Sequence, residues 1–122
     1  MATFTTFEEI SAWKKAHESV LKIYKLTNET KLKRDFGLKD QMRRSAVSIT
    51  SNIAEGHDRG TKNQFVYFLN VSRGSCAELR SQLILAKDLN YIEVTDCEKL
   101  KQDLMEVSRM IMGLIKYLKS LK

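Results

Sequence analysis

"VSITSNIAEGHDRG", residues 47–60, carries two patterns at once. Its apolar residues fall at helical spacing, yet Ser48, Ser51, Asn52 and Glu55 are set among them, just ahead of Gly56 and a charged cluster. Projected at about 100° per residue, the apolar set extends backwards into one helix, residues 38–55. Leu38, Met42, Ala46, Ile49 and Ile53 share a face, and Gly56 stands where a helix stop belongs. The polar set forms a line of its own. Gln41, Ser45, Ser48, Asn52 and Glu55 follow one another at intervals of four, three, four and three, a continuous seam beside the apolar face. A buried polar group left without a partner costs about 1–3 kcal/mol, so such a seam dictates how a second helix must lie against it. Suitable partners by side-chain type are Arg73, Ser75, Glu78 and Gln82.

Helix is also the reading elsewhere. The chain has no proline and five glycines, and no alternating apolar stretch bounded by turn residues. A capping box from Thr6 to Glu9 opens a first helix, residues 6–26, with Ile10, Trp13, His17, Leu21 and Tyr24 expected on its buried face. "TNETKLKRDFG", residues 27–37, is polar, ends in glycine and reads as a loop. A second box, Thr61 to Gln64, opens a helix over 61–89 with Phe65, Phe68, Leu69, Ser72, Cys76, Leu79, Leu83 and Ala86 inward. A third, Thr95 to Glu98, opens the last helix, 95–121, with Leu100, Leu104, Val107, Ile111, Leu114 and Leu118 inward. Four helices joined by short connections make an all-α, antiparallel up-and-down four-helix bundle, and 122 residues fit a single domain, 1–122.

Composition narrows the setting. Cys76 and Cys97 are too few and too far apart for a zinc site or a disulfide framework, which points to a reducing, cytoplasmic compartment. "MATFTTFEEI" lacks the basic and apolar regions of a secretion signal, and no run of 18 apolar residues is present, so no membrane association is expected.

Catalytic chemistry finds no footing. His17 sits on the expected apolar face of the first helix, and His57 sits in the turn "GHDRG" beside Asp58. The first reads as a core or groove histidine and the second as a solvated turn residue, not as the base of a triad. Glu55 has no second carboxylate at the Glu-x-x-His spacing of a di-iron bundle, and no phosphate-binding glycine loop occurs. The expectation is no enzyme, no metal and no cofactor.

Two helices carry more apolar surface than a bundle needs. Val47, Thr50 and Ala54 lie away from the inward face of the second helix, and Tyr67, Gly74, Ser81 and Leu85 lie opposite that of the third. A glycine inside a helix costs about 1 kcal/mol relative to alanine and is kept for close approach, which places Tyr67, Gly74, Ala77 and Leu85 at a helix or subunit contact. A homo-oligomer accounts for both extra stripes.

The net charge is +6 and the isoelectric point near 9.4, a balance that favours polyanions. Residues 39–87 hold eight basic groups, Lys39, Arg43, Arg44, Arg59, Lys62, Arg73, Arg80 and Lys87, against four acidic ones, whereas residues 88–122 hold six of each. Arg73, Arg80 and Lys87 recur every seven residues and so share one side of the third helix. These eight are the candidate nucleic-acid contacts. No groove-reading or RNA-recognition motif accompanies them, so binding should depend on backbone charge and shape.

"FEEISAWKKAHESVLKIYKLT", "GLKDQMRRSAVSITSNIAEGHDR" and "QFVYFLNVSRGSCAELRSQLILAKDLNYI" together span most of the chain. They resemble the four-helix-bundle proteins encoded by intervening sequences within bacterial 23S ribosomal RNA genes. The resemblance is carried above all by "QMRRSAVSITSNIAEG" and "SRGSCAELRSQL", hence by Arg43, Arg44, Ser48, Asn52, Glu55, Gly56, Arg73, Gly74, Ser75 and Glu78. It implies a small cytoplasmic bundle that assembles into a ring, expected to be a pentamer, with no established enzymatic activity. It also implies a distant relation to the accessory proteins of diversity-generating retroelements, and through them an RNA-associated protein as partner. The expectation is a non-catalytic homo-oligomer that binds structured RNA or DNA, the alternative being an assembly scaffold with no nucleic-acid role.

Overall fold

Four α-helices account for most of residues 4–121, the part of the chain that the computed structural model describes. They are α1 (Ser11–Glu29), α2 (Phe36–Asp58), α3 (Lys62–Asp88) and α4 (Val94–Ser120), with 3-10 turns at Phe7–Glu9 and Lys31–Arg34 and no strand among the described residues. Residues 1–3 and 122 of the expected domain lie outside that range. Each helix packs on the next, and α4 returns against α1, which closes an up-and-down bundle. Phe65, Ile23, Met42, Ile49, Leu79 and Leu104 fill its centre, each fully buried.

The corner between α1 and α2 is more ordered than its polar composition implies. Thr27, buried, donates its hydroxyl to the Ile23 carbonyl at 2.8 Å and carries α1 on to Glu29. Leu32 plugs the turn from within, fully buried. Asp35 then caps α2 by accepting from the Leu38 amide at 3.1 Å, so the helix starts at Phe36 and Gly37 lies in its first turn.

Of the three expected capping boxes only the Thr61 cap forms, its hydroxyl accepting from the Gln64 amide at 3.3 Å. Thr6 makes no cap; Glu9 instead accepts from the Thr5 amide, and α1 begins at Ser11 behind Ile10. Thr95 lies inside α4, which starts one residue earlier at Val94.

Two faces also differ from expectation. α1 buries Ala12, Ala16, Ser19, Ile23 and Leu26, about one residue's rotation from the Trp13, His17, Leu21, Tyr24 stripe. Lying between α2 and α4, it turns its small residues inward, where the neighbouring helices come close, and leaves Leu21 60% exposed. In the last turns of α4, Ile115 takes the buried position and Leu114 packs at the margin.

Gly56 does not stop α2, which runs on to Asp58. A Cβ placed on it would lie 2.8 Å from Phe68 Cβ and 3.1 Å from Phe65 Cδ1, so α3 packs directly against it. The turn itself is made by Gly60, at a φ of 82° that a glycine adopts without strain.

Candidate nucleic-acid interface

The α2–α3 junction is built from the polar seam. Ser45 Oγ donates to Glu78 Oε1 at 2.7 Å, and the hydroxyls of Ser48 and Ser75 lie 2.8 Å apart. Asn52 Nδ2 donates to the Ser48 carbonyl at 2.8 Å and to its hydroxyl at 3.0 Å, which orients that serine toward α3. Fully buried Ser72 adds a bond the spacing does not reveal, its hydroxyl donating to the Ile49 carbonyl at 2.8 Å. Gln41 is exposed, and Glu55 accepts at 2.8 Å from Nε of Arg59, the residue that follows α2. Ser75 and Glu78 are the α3 partners; Arg73 and Gln82 form no bond to this seam.

The eight basic candidates do not share a surface. The α2 group is largely occupied by its own chain. Arg43 Nε donates to Thr27 Oγ1 at 2.8 Å, and its guanidinium lies 4.4 Å over the Tyr24 ring, so it clamps α1 to α2. Arg44 pairs with Asp40 at 2.9 Å, Arg59 with Glu55 and the Phe68 face, and Lys39 covers the Phe36 ring.

Arg73, Arg80 and Lys87 lie instead along the α3–α4 groove. The Nε atoms of Arg73 and Arg80 are buried there and have no hydrogen-bond partner among the described residues. Their stems lie along the bundle while the ends of the guanidinium groups reach solvent. Arg73 Nη1 donates to Asn70 Oδ1 at 3.2 Å, and neither arginine has a carboxylate partner among the described residues. Lys62 joins the same side, its Nζ donating to the Leu121 carbonyl at 2.8 Å.

Four further cations stand on this face, and all come from α4. Projection from Cys97, whose thiol donates to the Leu83 carbonyl of α3 at 3.5 Å, puts Lys101, Arg109, Lys116 and Lys119 on the α3 side of α4. Lys119 shares a shallow groove with Lys62, Val66 and Tyr67. The acids of α4 point mostly the other way: Asp103 meets Lys22 at 3.0 Å and Lys15 at 3.5 Å on α1, and Glu106 meets Lys15 at 3.7 Å. The α3–α4 face thus holds eight cations against Asp88 and Glu98, a balance of +6 that equals the net charge of the whole chain. Residues 88–122 look neutral in the linear count because the helix sorts its acids to one side and its bases to the other. Helical projection of α4 alone carries that signal.

No catalytic constellation forms among the described residues. His17 is exposed and stacks on Trp13 at 4.8 Å, off the core face. His57 lies in the last turn of α2, half-buried, donating from Nε2 to the Phe4 carbonyl at 3.2 Å with its ring edge-on to Phe65. Burial pushes the Cys76 thiol up to about 11, against the pull of Arg80 and Arg73, so it stays protonated and unreactive near neutral pH. Among the described residues no cluster of three His, Cys, Asp or Glu is placed to hold a metal ion, and no described helix is long and apolar enough to cross a membrane.

The four residues expected at a packing contact are all exposed. Tyr67 and Leu85 are 63% and 49% accessible, and Ala77 is open. Apart from the backbone of its own helix and its chain neighbours, no described residue comes within 4 Å of a Cβ built on Gly74.

Residues 8–113 match the family model for the 23S rRNA-intervening sequence protein. The fold is similar to the crystal structure of a protein of unknown function from the S23 ribosomal protein family of Bacteroides thetaiotaomicron VPI-5482. The TM-score is 0.78 at 24% identity, over 86% of this chain and 95% of that one. No curated protein matches the sequence.

Proposed function

The chain belongs to the family of 23S rRNA-intervening sequence proteins, and from that premise we propose that it is a non-catalytic, homo-oligomeric bundle that binds structured RNA through its α3–α4 face. The observation that carries this reading is the segregation of charge: one face holds a balance equal to the chain's entire +6, and the rest is neutral in sum. A field of one sign on one face attracts and orients a polyanion. Cations without carboxylate partners, Arg73 and Arg80 first among them, can neutralise phosphates without first breaking an ion pair. The exposed stripe of Tyr67, Val71, Leu85 and Leu89 on the outside of α3 supports self-association.

A direct test titrates a labelled RNA hairpin with the protein at several salt concentrations, beginning at about 50 mM. The affinity should fall by about 0.9 log unit per log unit of salt for each phosphate neutralised. Reversing Arg73 and Arg80 to Glu should weaken binding by at least about tenfold and flatten that slope. An affinity indifferent to the reversal, or no binding even at low salt, rejects the reading. Arg44 and Arg59, already paired with Asp40 and Glu55, support the scaffold as the second reading, in which oligomers form without any RNA affinity.

A further inference from the structure

We infer that the α3–α4 face seats the two phosphate ribbons of a double helix, and does not bind single strands by stacking their bases; this rests on the nucleic-acid reading above. The cations stand in two rows, one on each helix. Two contacts fix their register: Cys97 meets the Leu83 carbonyl, and Lys62 meets the Leu121 carbonyl. Between those anchors the antiparallel helices bring Arg73 level with Arg109, and Arg80 level with Lys101. The face is therefore a ladder of paired cations.

Its dimensions suit a duplex. Packed helix axes lie about 8–10 Å apart, of the same order as the roughly 12 Å across the major groove of a B-form duplex. Lys62 to Lys87 spans about 37 Å at 1.5 Å per residue, close to the 34–36 Å of one turn of a B-form duplex. A single strand offers one line of phosphates and would leave one row unused.

Between the rows the surface gives bases nothing to stack on. Met105, Ser108 and Met112 of α4 line it, and Ala77 and Ile84 flank the outer edge of the α3 row. Tyr67 stands at one end beside Lys62 and Lys119, its ring already edge-on to Phe68 at 5.1 Å. Tyr117 lies about 100° round α4 from Lys116, toward α1. Single-strand binders gain about 1–3 kcal/mol per base from aromatic platforms, and this strip has none.

The test compares three labelled ligands of equal strand length at one low salt concentration: an RNA duplex of about 20 base pairs, the matching DNA duplex and a single-stranded RNA that cannot pair with itself. At least one duplex should bind about tenfold or more tighter than the single strand. Lys101→Glu with Arg109→Glu should weaken duplex binding as strongly as Arg73→Glu with Arg80→Glu, with circular dichroism confirming that each variant is folded. A single strand bound as tightly as both duplexes overturns the inference and leaves the RNA-binding reading standing. So does an α4 reversal without effect. Failure to bind any of the three ligands overturns both.

Discussion

Gly56 and Gly74 both occupy helix interiors, where a glycine costs about 1 kcal/mol relative to alanine, but only Gly56 meets a neighbour in its own chain. Its Cα faces α3, and a methyl group there would be forced against Phe68 Cβ and the Phe65 ring and carbonyl. Gly56→Ala should therefore lower stability by roughly 1–3 kcal/mol, because two backbones must separate to admit one carbon. Gly74→Ala should raise it by up to about 1 kcal/mol through helix propensity. Urea unfolding of the two variants checks both, and opposite signs are expected. The sequence placed each glycine inside or at the end of a helix, but it read Gly56 as a helix stop where the structure has a close approach of α3, and the contact expected at Gly74 is not made within its own chain. A glycine before a charged turn and one on an outer stripe differ only in what lies across from them, and that is a tertiary fact.

Between α2 and α3, by contrast, the linear spacing was informative, since a polar line at four-three intervals on a helix can only be a stripe. Ser45, Ser48 and Asn52 bond along that stripe, two of them directly to Glu78 and Ser75. Ser72 was legible only as an inward residue, because its bond goes to the Ile49 carbonyl and leaves no trace in side-chain types. It offers a graded test of why the seam is made of serines. Ser72→Ala should cost about 0.5–1.5 kcal/mol, the net worth of one hydrogen bond, as the Ile49 carbonyl keeps its place in the helix. Ser72→Val should cost more, roughly 1–3 kcal/mol, by prising the helices apart at a fully buried position. A Val variant as stable as the Ala variant would show that α2 and α3 are not held at close approach there. The same logic explains α1, whose large apolar residues and small ones each form a helical stripe. Periodicity picks out the first, and packing selects the one that opens with Ala12, Ala16 and Ser19 and continues with Ile23 and Leu26.

At the level of the whole molecule, the four sides of the bundle divide the work. The α1–α4 side is crossed by ion pairs of Lys15 and Lys22 with Asp103, and the α3–α4 side carries the excess positive charge. On the remaining sides, Leu21, Tyr24 and Val47 are exposed around α1 and α2, and Tyr67, Val71, Leu85 and Leu89 along α3. The outer stripe of α3 was visible in the sequence, whereas Thr50 of the expected α2 stripe is buried and the exposed Leu21 and Tyr24 were expected inward; the separation of charge was not visible, because summing residues 88–122 cancels what the helix segregates. A second copy covering the α3 stripe accounts for exposed aromatic and leucine side chains that the bundle leaves open. Light scattering should then give a mass several times the 14.1 kDa of one chain, near five times if the family resemblance extends to assembly. Tyr67→Glu with Leu85→Glu alters two exposed side chains and should cost the fold little. It should nonetheless return the protein to 14.1 kDa with an unchanged circular dichroism spectrum, because two buried, unpaired carboxylates in each contact oppose association. A wild-type protein that is itself monomeric, or a variant that keeps its oligomeric mass, excludes this stripe as the contact.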